Sequence, residues 1–206
     1  MMSLTLPGHG RQEEPEWAVY LTVAVAIVIG LAVQWSVVGR TTTVTAGGST
    51  VAYPATWQRV PEEGTLLAVA DRSQGGIFGA RVTVRELPKA DLLPGEGSTI
   101  DAATNWSLAR NEALVGYRVL SITETTVNGR EAARVEYAYL ASSPGGSADG
   151  AMPGLMHAID TVVLAGSTYQ ILTFAAEQRD FETLTTRQLP LFRNVYDDVL
   201  RSWRTG

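Results

Sequence analysis

Tyr117 to Ala141 reads YRVLSITETTVNGREAARVEYAYLA. Two runs rich in β-branched and aromatic residues flank Asn128-Gly129, a dipeptide suited to a two-residue turn in which both residues take positive φ. The stretch therefore predicts a hairpin, with strands Tyr117–Val127 and Glu131–Ala141. In the second strand Ala133, Val135, Tyr137 and Tyr139 alternate with the other residues, so they share one face. A long antiparallel hairpin of this kind places an antiparallel sheet at the centre of the molecule.

The same signals recur outward from this point. Thr41–Ala46 and Ser49–Tyr53 flank Gly47-Gly48 and predict a first hairpin, which Pro54 ends because it has no N–H for a ladder. Thr65–Ala70 and Ile77–Leu87 read as another strand pair around 72–76. Val82 and Val84 alternate there with Arg81, Thr83 and Arg85, the pattern of a sheet with one dry face. Ser98 with Asp101 resembles a capping box and predicts a helix to about Leu114. Leu155–Ala165 and Thr168–Ala175 follow as strands turned at Gly166-Ser167. Between the hairpins lies SSPGGSADGAMPG, Ser142 to Gly154, a loop by composition. Phe181, Leu184, Gln188, Phe192, Val195, Val199 and Trp203 recur at helical spacing near the end of the sequence. Pro190 falls among them and either splits this region into two helices or kinks one. Strands with intervening helices make the class α+β.

A different pattern occupies the N-terminal side. Trp17 to Gly39, WAVYLTVAVAIVIGLAVQWSVVG, contains no charge. At 1.5 Å per residue such a helix spans about 35 Å, enough for a hydrocarbon core of about 30 Å. Trp17 and Tyr20 at one end and Trp35 near the other suit the membrane interfaces. A cleaved signal peptide is the rival reading. Against it, Glu13, Glu14 and Glu16 outnumber Arg11 where a basic stretch belongs, and the apolar run exceeds an ordinary signal core. An uncleaved single transmembrane helix is the expectation, dividing the chain into a tail over 1–16, the helix over 17–39 and a domain over 40–206. Arg11 and Arg40 tie on the positive-inside count. A cytoplasmic N-terminus and an extracytoplasmic domain are expected, because the tail is too short to be the working part.

Composition closes off several classes of function. The 206 residues are 45% hydrophobic and 18% charged, with net charge −5 and no cysteine. Disorder, disulfides, a thiol nucleophile and cysteine-ligated zinc are excluded, and no nucleic-acid partner is indicated. Lys89 is the only lysine among 16 basic residues. An arginine bias spread over the whole chain reflects genome composition more simply than anion binding. The two histidines, His9 and His157, exclude a histidine-rich metal cluster. His157 lies in an expected strand with Asp160 three residues on, hence on the opposite face. Gly75-Gly76-Ile77-Phe78-Gly79 lacks the spacing and lysine of a phosphate loop and reads as a bend. Asn105-Trp106-Ser107 fits a glycosylation sequon but falls within a helix, and Asp197-Asp198 reads as a solvated pair.

Taken in order, hairpin, Tyr53-Pro54-x-x-Trp57, strands, helix, long Asn-Gly hairpin and a terminal helix carrying Phe192 and Trp203, the stretch from Thr41 to Trp203 resembles the PsbP-like superfamily, which includes Mog-type Ran-binding proteins. The resemblance implies an antiparallel sheet with helices on both faces, an α/β/α arrangement. It also implies a partner-binding role rather than catalysis, and no cofactor. Metal-binding residues proposed for some members have no matching histidine here. A membrane anchor would depart from the soluble photosystem members and from a nuclear role. Tyr53 and Trp57 are expected to pack over the sheet edge with their polar atoms at the rim.

These readings give a non-enzymatic, single-pass membrane protein, an accessory subunit of a membrane complex, with a stand-alone anchored ligand- or envelope-binding protein as the alternative. The residues expected to meet partners are Trp17, Gly30 and Trp35 on the helix and Met152, Leu155 and Met156 at the end of the Gly-rich loop. Gly30, with Ala24 and Ala26, would let another helix approach closely. Exposed apolar residues at a loop end can engage a partner, although they can equally start the next strand.

Overall fold

The computed structural model describes residues 16–38, 40–72, 79–141, 154–185 and 194–205. The chain divides into two compact units, Met1–Arg40 and Thr41–Gly206. The first contains helix α1, Glu16–Val38, of 23 residues. The Thr22 hydroxyl on the apolar stretch donates back to the Ala18 carbonyl at 2.8 Å, which hides the polar group against its own backbone. Side chains of α1 are described from Trp17 to Val33. Among the described residues no helix is long and apolar enough to cross a membrane.

The second unit opens with a two-stranded sheet, β1 (Thr41–Ala46) and β2 (Ser49–Pro54). The remaining strands are β3 (Gln58–Arg59), β4 (Leu67–Ala70), β5 (Arg81–Pro88), β6 (Arg118–Val127), β7 (Arg130–Ala141), β8 (Gly154–Ala165) and β9 (Thr168–Glu177). They form one sheet in the order β3-β4-β5-β9-β8-β7-β6, antiparallel throughout. Two hairpins owe their tight turns to left-handed backbone: Gly47 and Gly48 at φ +55 and +79, Asn128 and Gly129 at +52 and +79. Two successive positive φ values match the right-handed twist of the flanking strands.

Helices cover both faces of the large sheet. On one lie α2 (Lys89–Leu92) and α3 (Thr99–Ala113), which pack Leu92, Ala102, Ala103 and Trp106 onto Val135, Tyr137, Tyr139, Val162 and Ile171. On the other lie the β1–β2 hairpin, α4 (Gln178–Thr185) and α5 (Val195–Ser202), joined to Val82, Val84, Ile159, Leu172 and Phe174 through Val51, Tyr53, Phe181, Val199 and Trp203. Nearly every residue of β8 and β9 is consequently buried, as strands covered on both sides must be. The expected α/β/α arrangement is the one found.

Local chemistry sets the element ends. Ser98 caps α3 in a reciprocal box with Asp101, and its hydrogen bonds hold the Asp101 carboxyl below the usual range. Asn194 accepts from the Asp197 N–H and starts α5, so the terminal region is two helices. Pro190, Gln188 and Phe192 lie outside the described residues. Strand β4 begins at Leu67 rather than Thr65, because the Thr65 hydroxyl is taken by the Glu62 carbonyl at 2.7 Å in a turn. β5 begins at Arg81, with 77 and 78 outside the described residues. Tyr53 and Trp57 correct the expectation of an aromatic rim. Both are buried within the core, Trp57 stacking on Phe174 at 6.4 Å, because the Trp57 N–H turns back to the Pro54 carbonyl at 3.0 Å and carries the ring under the hairpin.

The C-terminal segment returns to this hairpin and to the Asn-Gly turn. Thr50 and Arg204 exchange backbone hydrogen bonds at 2.9 and 2.8 Å. Asn128 donates its amide to the Trp203 carbonyl and accepts from Arg204 at 2.7 Å. Asn128→Ala removes these bonds and places a Cβ-bearing residue without a local hydrogen-bonding side chain at positive φ, a loss of about 2–3 kcal/mol. Asn128→Gly should lose less, because only the hydrogen bonds go. Denaturant unfolding of the two variants checks the order, and equal losses would contradict it.

Candidate functional site

Two polar clusters and one apolar end stand out in the second unit. The first cluster centres on Asp160, which has 0% exposure in the middle of β8. Its carboxylate accepts from Trp106 Nε1 at 2.5 Å, Arg110 Nε at 3.2 Å and the Tyr137 hydroxyl at 3.2 Å. Arg110 also donates to Thr173 Oγ1 at 3.3 Å and lies over the Trp106 ring at 4.9 Å. Burial alone would disfavour its charge, but Asp160 and the neighbouring phenols outweigh this and raise the Arg110 pKa. Burial pushes the Tyr137 hydroxyl well above its ordinary value, with Asp160 reinforcing the shift. All these groups satisfy one another beneath α3. The arrangement is a buried ion pair that fixes α3 on the sheet.

The second cluster lies on the opposite face, as the strand alternation of His157 and Asp160 requires. His157 Nε2 is 3.1 Å from Glu136 Oε1, and Glu136 also pairs with Arg134 at 3.0 Å. The imidazole stacks on Phe181 at 3.9 Å, 11° from parallel. His157 is thus packed between β7 and α4. Among the described residues no group of three or more His, Asp or Glu is arranged to hold a metal.

The apolar end is the third feature. Antiparallel order brings the start of β6, the end of β7 and the start of β8 to one end of the sheet, and α3 finishes nearby. Of the six large hydrophobic residues of this unit that are exposed among the described residues, all but Leu108, on the exposed side of α3, lie there. They are Leu108 and Val115 at 60% and 67%, Val119 and Leu120 at 45% and 50%, and Leu140 and Leu155 at 36% and 46%. Leu140 and Leu155 are cross-strand partners. The Val115 carbonyl accepts from the Leu140 N–H at 2.8 Å, and Gly116, at φ +65, lets the chain lie against Leu140 where a Cβ would come within 3.1 Å. Leu120 sits at an irregularity between Val119 and Ser121, a bulge that interrupts the edge strand.

Of the residues expected to meet partners, Leu155 belongs to this surface. Met156 does not: it is fully buried, since alternation along β8 turns it inward onto the α3 face. Met152 lies outside the described residues, as do 73–78 and the Gly-rich loop apart from Gly154. Trp17 is 66% exposed, and a Cβ at Gly30 would meet nothing within 4 Å. The side chain of Trp35 lies outside the described residues. Asn105 of the sequon donates its amide to the Leu92 carbonyl at 2.7 Å. Asp197 reaches Arg201 at 3.9 Å along α5. An open depression of about 590 Å³ runs along 59–68; one of its carboxylates, Glu62, is taken by Arg85 at 2.6 Å. The Asp160–Arg110 pair had no signal in sequence beyond Asp160 itself. The partners lie 50 residues apart, and helical spacing around Trp106 is the one hint that Arg110 faces the sheet.

No family model matches the chain, and no curated protein does. Solved structures do. The cyanobacterial PsbP of Synechocystis, CyanoP, is similar at TM-score 0.56 and 14% identity, covering 81% of this chain and 92% of that one. The Ran-binding protein Mog1p of Saccharomyces cerevisiae is similar at TM-score 0.49 and 11% identity, covering 81% and 95%. LpqN of Mycobacterium tuberculosis, involved in cell envelope biogenesis, is similar at 0.47 and 13%, covering 80% and 89%. The fold of the second unit is PsbP-like.

If the Asp160 cluster is structural, its removal must act on stability. Asp160→Ala leaves Arg110 charged and unpaired under α3, a loss of about 3–5 kcal/mol. Joint replacement by Asp160→Leu and Arg110→Met should recover part of it, because an apolar pair needs no compensation. Thermal unfolding of the three proteins checks this, and a double variant no better than Asp160→Ala would contradict it.

Proposed function

We propose that this protein is a non-catalytic, single-pass membrane protein that serves as an accessory subunit of a membrane complex. The observation that carries the reading is that two apolar surfaces are left uncovered. α1 is apolar on every side, its described residues from Val19 to Val33 including ten large hydrophobics that are about half exposed or more. A helix hydrophobic all round belongs in a core or a bilayer, and in water each such side chain would forgo about 1.5–3 kcal/mol of burial. The apolar end of the sheet is the second surface, and it suits another protein subunit. In this reading the uncharged run Trp17–Gly39, which extends beyond the described side chains of α1, crosses the bilayer, Gly30 lies at a helix contact, and Trp17 and Trp35 sit at the interfaces.

Leu120→Asp and Leu155→Asp test the subunit reading at exposed positions. Each should leave the melting temperature within about 2 °C. After mild detergent extraction from native membranes, each should lose at least tenfold of the protein that co-purifies with the unaltered chain at fixed stoichiometry. An unaltered chain that purifies alone, or variants that keep the partner, would overturn the reading.

The domain is placed outside the cytoplasm in this proposal, with the tail inside. Protease added to intact cells or spheroplasts should then digest the domain and spare a tag placed before Arg11. A cut tag with an intact domain would reverse the orientation.

A further inference from the structure

Arg81 opens β5 on the face covered by α3. Across the sheet its row continues with Ala175 on β9 and Ala158 on β8. Neither alanine obstructs it, and the guanidinium extends over both strands to β7, where Nη2 donates to the Tyr139 hydroxyl at 2.7 Å. The next row on the same face, about 7 Å along the strands, aligns Thr83, Thr173 and Asp160. Arg110 descends from α3 onto that row and donates to Asp160 and Thr173. Tyr137 and Tyr139 join the two rows, their rings 5.9 Å apart, and Arg110 lies 5.8 Å from the Tyr137 ring.

Two carboxylates share this region of the face by register, Asp160 and, two residues beyond Ala175, Glu177. Asp160 neutralises Arg110. Among the described residues Arg81 has a neutral phenol as its hydrogen-bond partner and no carboxylate. Tyr139 uses a single Nη2 proton, so one of the two donor forks, Nε with Nη2 or Nη1 with Nη2, has no acceptor in this network. Lysine would offer a point charge, whereas the arginine fork matches two oxygens of one planar or tetrahedral anion. Arg81 is half-buried, so water competes with a ligand less than it does at an open surface.

We propose that Arg81, backed by Arg110 and oriented by Tyr139, binds an oxyanion, the phosphate or carboxylate group of a ligand, on this face of the sheet. The bias toward arginine along the chain has no site-specific meaning, but at this position the second guanidinium and the open donor fork supply one. The site does not depend on the protein being an accessory subunit.

The test uses the full chain in detergent micelles with 15N-labelled arginine. Inorganic phosphate and acetate are titrated at constant ionic strength against chloride, and the Arg81 and Arg110 Nε–Hε resonances are followed. The site predicts a saturable shift of both resonances with at least one of the two oxyanions. Saturation by phosphate alone assigns a phosphate ligand, by acetate alone a carboxylate, and by both an unselective oxyanion site. Arg81→Gln should abolish the saturable shift at Arg110 while amide resonances away from β5 stay in place. Arg81→Lys should keep it with at least tenfold weaker affinity, and it serves as the variant of record if Arg81→Gln does not fold. Shifts that follow chloride equally, no saturation by either anion, or an Arg110 titration unchanged by both substitutions would overturn the proposal.

Discussion

A full negative charge in the middle of a central strand governs the architecture of the second unit. Asp160 has no access to water, and an uncompensated carboxylate there would cost far more than a domain's net stability. Its three donors come from two elements: Trp106 and Arg110 one turn apart on α3, and Tyr137 on the adjoining strand β7. The requirement fixes α3 in rotation as well as in position, since only one helical face presents both donors. Ser98 and Asp101 then define where that helix begins. Capping and ion pairing therefore act on the same fifteen residues, one specifying the start and the other the register against the sheet.

Burial on both sides of β8 and β9 imposes the remaining order. α3 and α2 supply one cover, and they derive from the stretch between β5 and β6. The other cover is assembled from the two ends of the unit. The β1–β2 hairpin and the α4–α5 pair meet over Phe174 and Leu172, and the Thr50–Arg204 bridge ties them together. Trp203 is fully buried at this junction, its indole N–H without a partner among the described residues. That unmet donor shows how far apolar packing outweighs hydrogen bonding at this point, since leaving it unpaired costs about 1–3 kcal/mol. The Asn128 turn clamps the same segment from the far hairpin. Residues chosen for turn geometry also hold the C-terminal strand end in place.

Features legible in the sequence are those whose cause is local. Gly47-Gly48 and Asn128-Gly129 announce hairpins because positive φ is a property of two residues, and Ser98 with Asp101 announces α3 because a capping box spans four. Alternation correctly separated His157 from Asp160. Elements without such signatures were missed. β3 is two exposed residues paired to β4, and α2 is a single turn after Pro88. Packing depth was also hidden: Tyr53 and Trp57 as letters suit either a rim or a core, and the choice came from the hairpin folding over Phe174. Met156 and Leu155 illustrate the same limit, because one residue of register decides which of them faces water. Of the sites, the sequence indicated the neighbourhood of Leu155. It gave no indication of Arg81, whose meaning depends on two alanines and a tyrosine drawn from three other strands.

The sheet sets its two kinds of exposed chemistry next to one another at one end, since Tyr139, which holds Arg81, precedes Leu140 on β7 and alternation turns the two to opposite faces. Most of the apolar residues sit where strands end, and Leu120 forms a bulge on the edge strand between Val119 and Ser121, which disrupts the regular ladder that would otherwise invite further strand pairing. A partner docking there must recognise side chains rather than extend the sheet. Arg81, by contrast, reaches over the sheet's interior strands, where backbone hydrogen bonds are already satisfied and Ala158 and Ala175 beneath it are fully buried. Its charge is held by residues whose positions are set by ladders on both sides, so little conformational freedom remains to be lost when a ligand arrives. The same double burial of β8 and β9 that demands compensation for Asp160 thus makes the face above Ala158 and Ala175 a rigid platform, and rigidity is the property that favours specific recognition of a small anion over diffuse electrostatic attraction.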